Sequence, residues 1–294
     1  ISAFLERSNK RLGASAMQIE FEKRPVLPIT CVILTKNEEK AIWDCLSSVD
    51  FCEQIIVVDS NSTDLTSKIV SDFGSELINF TWNGKYPKKK QWAIQHPQIR
   101  NDWILLLDAD ERVSIQLKKE INDLFQNESI THGAFDVEIA YKFTGKTLRH
   151  GHKVRKRILM NRKFCAFPVL NDLSVKNMWE VEGHYQPIVS GSLGFLKGKL
   201  FHSDPDDLYD YFARHNRYSD WEAYLRTNTE DQKKVRSAKS YQGRIFDVMP
   251  GKPLIFFLYS YLLRLGFLDG KAGFNYALSL AYYYWQISIK VNEI

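Results

Sequence analysis

Residues Trp103 to Leu107 form an unbroken apolar run that stops abruptly at Asp108-Ala109-Asp110-Glu111. A run of this kind belongs to a strand covered on both faces, in the middle of a parallel sheet packed between helices. Ligands of open α/β sheets bind just beyond the carboxyl ends of the strands. Asp108 and Asp110 are therefore expected at a binding edge. Two carboxylates there are costly unless something positive joins them, and a divalent cation holding a phosphorylated ligand would do so. Taken alone, the same residues also describe a strand followed by a polar turn, so the neighbouring segments must decide.

Those segments repeat the pattern. Ile29 to Leu34 is a short β-branched run and reads as a buried first strand. Asn37 is placed to cap a following helix, with Glu38 and Glu39 in its first turn and Ala41, Ile42, Cys45, Leu46 and Val49 on one face. Gln54 to Asp59 is a second strand. A turn then leads into a helix with Leu65, Ile69, Val70 and Phe73 inward and Gly74 as its terminator. Glu76 to Phe80 is a third strand, and Lys88 to Gln95 is a helix stopped by Pro97. Strand and helix thus alternate through a Rossmann-like half with right-handed crossovers. Ser114 caps the next helix, and Phe135, Val137, Ile139 and Tyr141 alternate as a half-solvated strand. Mixed, mostly antiparallel structure is expected to about His202, and helices from Asp206 onward.

Composition narrows the partners. A net charge of +5 over 294 residues suits an anionic substrate or an anionic membrane surface, and is too weak to argue for nucleic acid. Cys31, Cys45, Cys52 and Cys165 show neither a CxxC pair nor zinc spacing, which fits a reducing cytosol. Residues 1–24 precede the first convincing element and are expected to be an extension or a cloning remnant. The remainder divides into an alternating strand–helix half at 25–112, a mixed half at 113–205 and a helical region at 206–294.

The strand tips carry the chemistry. Thr35-Lys36-Asn37-Glu38, Asp59-Ser60 and Asp108-Ala109-Asp110 would line one crevice if their strands are adjacent. With no GxGxxG and no GxxxxGK[ST], phosphates must be held by a metal and side chains. Tyr86-Pro87-Lys88-Lys89-Lys90 sets lysines at a helix start, against the helix dipole, so a bound anion would help to explain them. His152 to Arg157 is a second basic cluster whose alternation puts Lys153, Arg155 and Arg157 on one strand face.

Ile33 to Glu39, Ile56 to Asp64 and Leu106 to Glu111, in this order and spacing, resemble the family 2 glycosyltransferases of GT-A fold. Within that family the chain is most similar to bacterial lipopolysaccharide-core and exopolysaccharide enzymes. The resemblance runs from about Ile29 to the C-terminus and is strongest over its first ~90 residues. It implies a mixed sheet flanked by helices and a metal-dependent, inverting sugar transfer. The donor would be a nucleoside-diphosphate sugar, by default uridine-linked, and the acceptor a saccharide or lipid-linked saccharide. It also implies site residues. Thr35, Asn37 and Glu38 would line the nucleoside pocket and Asp59 would contact the base. Asp108 and Ala109 would face the nucleotide, and Asp110 would hold Mg²⁺ or Mn²⁺. Lys90 and Arg157 are candidate phosphate contacts, and His202, in Phe201-His202-Ser203-Asp204, is the candidate metal-binding histidine. A general base must take the acceptor's proton. Glu182, beside Gly183, is the first candidate and Glu180 the second, although this chain lacks the paired motif that usually carries the base. His184 is expected at the acceptor.

Pro253 to Leu263 and Ala272 to Ile289 are long apolar-aromatic stretches, the second uncharged between Lys271 and Lys290. Spanning a membrane needs about 20 predominantly apolar residues, so these read as amphipathic helices on a membrane surface, or else as a buried hairpin. A membrane-associating extension implies a peripheral enzyme on the inner face of a bacterial cell membrane. Two other classes compete: a haloacid-dehalogenase-like phosphatase, disfavoured by Arg112 two residues after the second aspartate, and a non-catalytic membrane-associated scaffold of the same fold.

Overall fold

The computed structural model describes residues 26–126, 130–183, 185–203, 207–237 and 251–294. The expected extension at 1–24, His184 and Asp204 lie outside the described residues. Four parallel strands form the first half: β1 (Leu27–Thr35), β2 (Cys52–Asp59), β3 (Glu76–Asn79) and β4 (Trp103–Asp108), in the order β3-β2-β1-β4. Alternation assigns each strand to both layers. Ile29, Cys31, Ile33, Leu105 and Leu107 join one buried cluster, while Val32, Leu34, Ile104 and Leu106 join the other. Each buried side chain of this size is worth about 1.5–3 kcal/mol, so the register is strongly fixed.

That register aligns the tips: Thr35 pairs with Asp59 and Leu34 with Asp108. The crossovers use α1 (Ile42–Ser48), α2 (Thr66–Phe73) and α3 (Lys89–Ile94). Gly74 ends α2 in the left-handed region at φ 82°, as its type predicts. Two local expectations fail. Asn37 does not cap a helix; it sits at φ 57° and α1 begins five residues later. Leu65 is 59% exposed ahead of α2 instead of facing inward. Both follow from one cause: the loops after β1 and β2 bind each other. Asn37 N–H donates to Ser62 Oγ at 2.8 Å, Thr63 N–H to Asn37 Oδ1 at 2.8 Å and Glu38 N–H to Thr66 Oγ1 at 2.8 Å.

Beyond the short β5 (Glu111–Val113) and α4 (Ile115–Gln126), whose Leu117 N–H is capped by Ser114 Oγ, the sheet continues. β6 (Ala134–Phe143), with β7 (Lys146–Thr147) paired to its end, β8 (Arg155–Asn161) and β11 (Leu193–His202) extend the order to β4-β8-β6-β11-β5. The pairing is mixed, as expected, but β11 runs parallel to β6 because residues 144–192 cross over between them. That crossover contains β8 and the small sheet of β9 (Cys165–Ala166) and β10 (Ile188–Val189).

The last region holds α5 (Leu208–Thr227), α6 (Thr229–Ser237), α7 (Lys252–Leu258) and α8 (Lys271–Lys290). It is not a detachable extension. Asp269, between α7 and α8, accepts the N–H groups of Arg149 and His150 at 2.9 and 2.8 Å. Gly151 N–H reaches Arg264 O at 2.8 Å, and Tyr276 packs edge-on to Phe143 at 5.4 Å. A Cβ on Gly273 would lie 2.0 Å from Gly266 O, so the hairpin closes only around glycine.

Candidate active site

The three tips are tied into one edge. Lys89 Nζ donates to Thr35 O at 2.7 Å and to Ser60 Oγ at 2.5 Å. Ala109 N–H donates to Leu34 O at 3.0 Å. The edge borders a cavity of about 3110 Å³, larger than the roughly 300–1,000 Å³ that suits one small ligand, and so roomy enough for two substrates.

Thr35, Lys36 and Glu38 line this cavity, as do Lys90, Asp108, Ala109 and Asp110. Asn37 and Asp59 serve the edge from behind. Asp59 is 1% exposed, and its carboxylate accepts Ser62 N–H at 2.8 Å and Ser62 O–H at 2.5 Å. Asp59 thus shapes the turn beside the pocket.

Asp110 and His202 come together although 92 residues apart in sequence numbering. His202 Nε2 lies 3.0 Å from Asp110 Oδ2, because His202 pairs with Glu111 across β11 and β5 and Ser203 N–H holds Asp110 O at 3.1 Å. Among the described residues no group of three or more His, Cys, Asp or Glu side chains converges as a metal cage. One carboxylate and one imidazole nonetheless fit an ion whose remaining positions are filled by phosphate oxygens, the usual arrangement for a small divalent cation on a diphosphate.

Asp108 has a protein partner that the sequence reading missed. Lys156 Nζ lies 2.6 Å from Asp108 Oδ2 and 2.6 Å from Glu111 Oε2. Burial opposes ionisation of Asp108, yet the Lys156 ammonium, and then Lys90, hold its carboxyl well below the usual carboxylate range. Burial together with the neighbouring Asp108 and Asp110 raises Glu111. The signal for Lys156 was strand parity. β8 pairs antiparallel with β4 as Leu105↔Leu159, and continuing that register sets Lys156 beside Asp108. Arg157 falls on the other parity. Its guanidinium binds Asp136 at 3.0 Å and Pro187 O, which braces it in the cavity wall.

The three lysines of the α3 start go three ways. Lys88 is buried against Asp172 at 3.1 Å, where Trp221 Nε1 and Tyr86 O–H also donate. Lys89 holds the strand tips. Burial brings its pKa down to about 8, against the pull of Glu180, Asp59 and Asp108. Lys90 lines the cavity near the Phe167 ring. The anion expected at this helix start is Glu182, whose two oxygens accept Lys90 N–H at 2.7 Å and Gln91 N–H at 2.8 Å. At 2% exposure, with burial raising its pKa, Glu182 caps α3. Both of its oxygens are engaged there, although Glu182 also borders the cavity. Glu180 is 22% exposed on the cavity wall, 3.9 Å from Lys89 Nζ.

The opposite wall is helical and was not anticipated as part of the site. Arg214, Arg217, Tyr218 and Glu222 of α5 line the cavity together with Tyr276 and Tyr283 of α8. The Arg217 guanidinium lies 5.5 Å from the ring centre of Trp179, on the same segment as Glu180.

Comparisons with known proteins find relatives by sequence and by structure. The family model described as Glycosyl transferase family 2 matches residues 30–173. A lipopolysaccharide core biosynthesis glycosyltransferase, LpsC of Rhizobium meliloti, is 28% identical over 284 residues, covering 92% of this chain and 93% of that protein. An uncharacterized glycosyltransferase of Rickettsia typhi is 27% identical over 271 residues, covering 90% and 87%. Among solved structures, the mannosyltransferase PcManGT of Pyrobaculum calidifontis, in complex with GDP-Man and Mn²⁺, aligns over 90% of this chain and 87% of that one, with 14% identity and a TM-score of 0.47. Residues 30–173 thus carry a Glycosyl transferase family 2 domain, and the chain is an enzyme of the glycosyltransferase class.

Proposed function

We propose that the enzyme transfers a sugar, with inversion, from a nucleoside-diphosphate sugar to a saccharide or lipid-linked saccharide of the cell surface. The observation that carries this reading is the Asp110–His202 pair, 3.0 Å apart, beside the tied strand tips. The tips of β1 and β4 and the Lys89 and Lys90 ammoniums receive the nucleotide, with uridine diphosphate as the first choice. Asp110 and His202 would hold Mg²⁺ or Mn²⁺, which as a Lewis acid offsets the charge gathering on the leaving diphosphate. Glu180 accepts the proton of the acceptor hydroxyl. The acceptor oxygen then bonds to the anomeric carbon as the bond from that carbon to the phosphate oxygen breaks. Trp179, Arg217 and Tyr218 form a wall suited to stacking an acceptor ring beside Glu180. The lipopolysaccharide-core relative supports a cell-surface acceptor.

Membrane docking belongs to the same proposal. No helix among the described residues is long and apolar enough to cross a membrane. Leu254, Leu258 and Leu262 are 65%, 41% and 49% exposed in steps of four, and Phe274, Leu278 and Tyr282 repeat the step at 40%, 50% and 45%. Apolar stripes flanked by Arg264 and Lys271 suit the surface of an anionic bilayer on its cytoplasmic side. Release of nucleoside diphosphate, measured over a panel of donor sugars with and without Mn²⁺ or Mg²⁺, tests the transferase reading. Metal-dependent release from at least one donor is expected, and release from none in the presence of acceptor extracts would refute it.

A further inference from the structure

The site already contains a cation. Lys156 reaches Asp108 Oδ2 and Glu111 Oε2, each at 2.6 Å, and Asp108 N–H donates to the same Glu111 oxygen at 2.9 Å. The Lys156 side chain is 12% exposed and that of Glu111 2%, so this pair is shielded from water, while Asp108, 42% exposed, opens onto the cavity. A divalent ion on those same oxygens would meet the ammonium at close range in a medium where like charges repel strongly. Asp108 and Glu111 thus share one resident positive charge, which opposes a second cation on the same oxygens. The donors left to an ion are Asp110 and His202, and two protein donors bind a small divalent cation well only when phosphate oxygens complete its shell.

We infer that Lys156 is an internal counter-ion that withholds Asp108 and Glu111 from the metal, so that the ion enters together with the nucleoside diphosphate and not before it. The inference rests on the transferase reading above. Lys156 is a positioning residue: it fixes the carboxylate beside the nucleotide and leaves the ion to its neighbour. Ion and nucleotide then strengthen one another by the same factor, as linkage requires.

The test is Mn²⁺ binding to the full chain, followed by electron paramagnetic resonance, with and without uridine diphosphate. The wild type is expected to bind Mn²⁺ at least about 30-fold more tightly with the nucleotide than without it. Lys156→Met frees two carboxylates, so Mn²⁺ alone should bind about tenfold tighter or more, while Lys156→Arg should behave as the wild type. Equal wild-type affinity with and without the nucleotide overturns the inference and leaves the transferase reading standing, as does a Lys156→Met protein whose Mn²⁺ affinity is unchanged. If Lys156→Met does not fold, the wild-type ratio decides alone. Failure of Mn²⁺ to bind the wild type even with the nucleotide present removes the metal from the proposed function and this inference with it.

Discussion

The parallel half and the helical end of this molecule build the same cavity by opposite means. In β1 to β4, strand register fixes where each polar tip lies, and hydrogen bonds between neighbouring loops hold the tips. In α7 and α8, no sheet dictates position. One side of the hairpin is buried against residues 141–152 and the other shows apolar stripes. A residue's role in the first region follows from its place at a strand end. In the second it follows from which neighbour covers it. The contrast teaches that the strand-tip side of the cavity is specified locally, while the helical side exists only once the whole chain has folded.

Five tests, by substitution or by pH, would break or sharpen that contrast. The largest effect belongs to the strand tips. Asp110→Ala removes a metal donor from a fixed edge and should lower transfer by about 10³-fold or more with little change in melting temperature. Next comes the pair of glutamates two residues apart. Glu180→Gln should lower transfer by about 10²–10⁴-fold at unchanged stability. Glu182→Gln should cost about 1–2 kcal/mol through the weakened α3 cap, visible in thermal denaturation, with activity per folded molecule within about tenfold of wild type. Reversed results would return the base to Glu182.

In the helical end, Gly273→Val should cost about 1–3 kcal/mol or more by forcing α8 off the Gly266 carbonyl. Leu258→Glu with Leu278→Glu should change stability by under about 1 kcal/mol and abolish flotation with anionic liposomes. Flotation that survives those charges would assign the stripes to another partner. The smallest effect is one of pH. Lys89 carries its charge below about pH 8 and loses it above. Nucleotide affinity should fall about three- to tenfold from pH 7 to 9.5, and Lys89→Met should flatten the profile. Stability responds with the opposite sign. The unfolded lysine titrates at 10.5, so the burial penalty is full below pH 8 and fades as pH rises toward 10.5.

The legible parts of this protein are those where one residue type has one physical use. Apolar runs ending in Asp108 and Asp110 had to be buried strands with an acidic edge, and Gly74 had to end a helix. Asn37 misled because a capping residue and a left-handed turn residue look alike in sequence, and only the loop after β2 chooses between them. Glu180 and Glu182 share a parity. Their contacts diverge because α3 presents two N–H groups to Glu182 and not to Glu180. Lys156 was hidden by attention to the more numerous basic face of the same strand. The helical wall was hidden because its contacts to residues 146–152 span more than a hundred positions.

The most direct test of the account is the position of the ion. Crystals grown with Mn²⁺ and uridine diphosphate should give an anomalous peak about 2.1 Å from Asp110 and His202, with the diphosphate on its far side and Lys156 still bridging Asp108 and Glu111. A peak between Asp108 and Glu111, with Lys156 displaced, or a nucleotide bound away from the β1 and β4 tips, would contradict it.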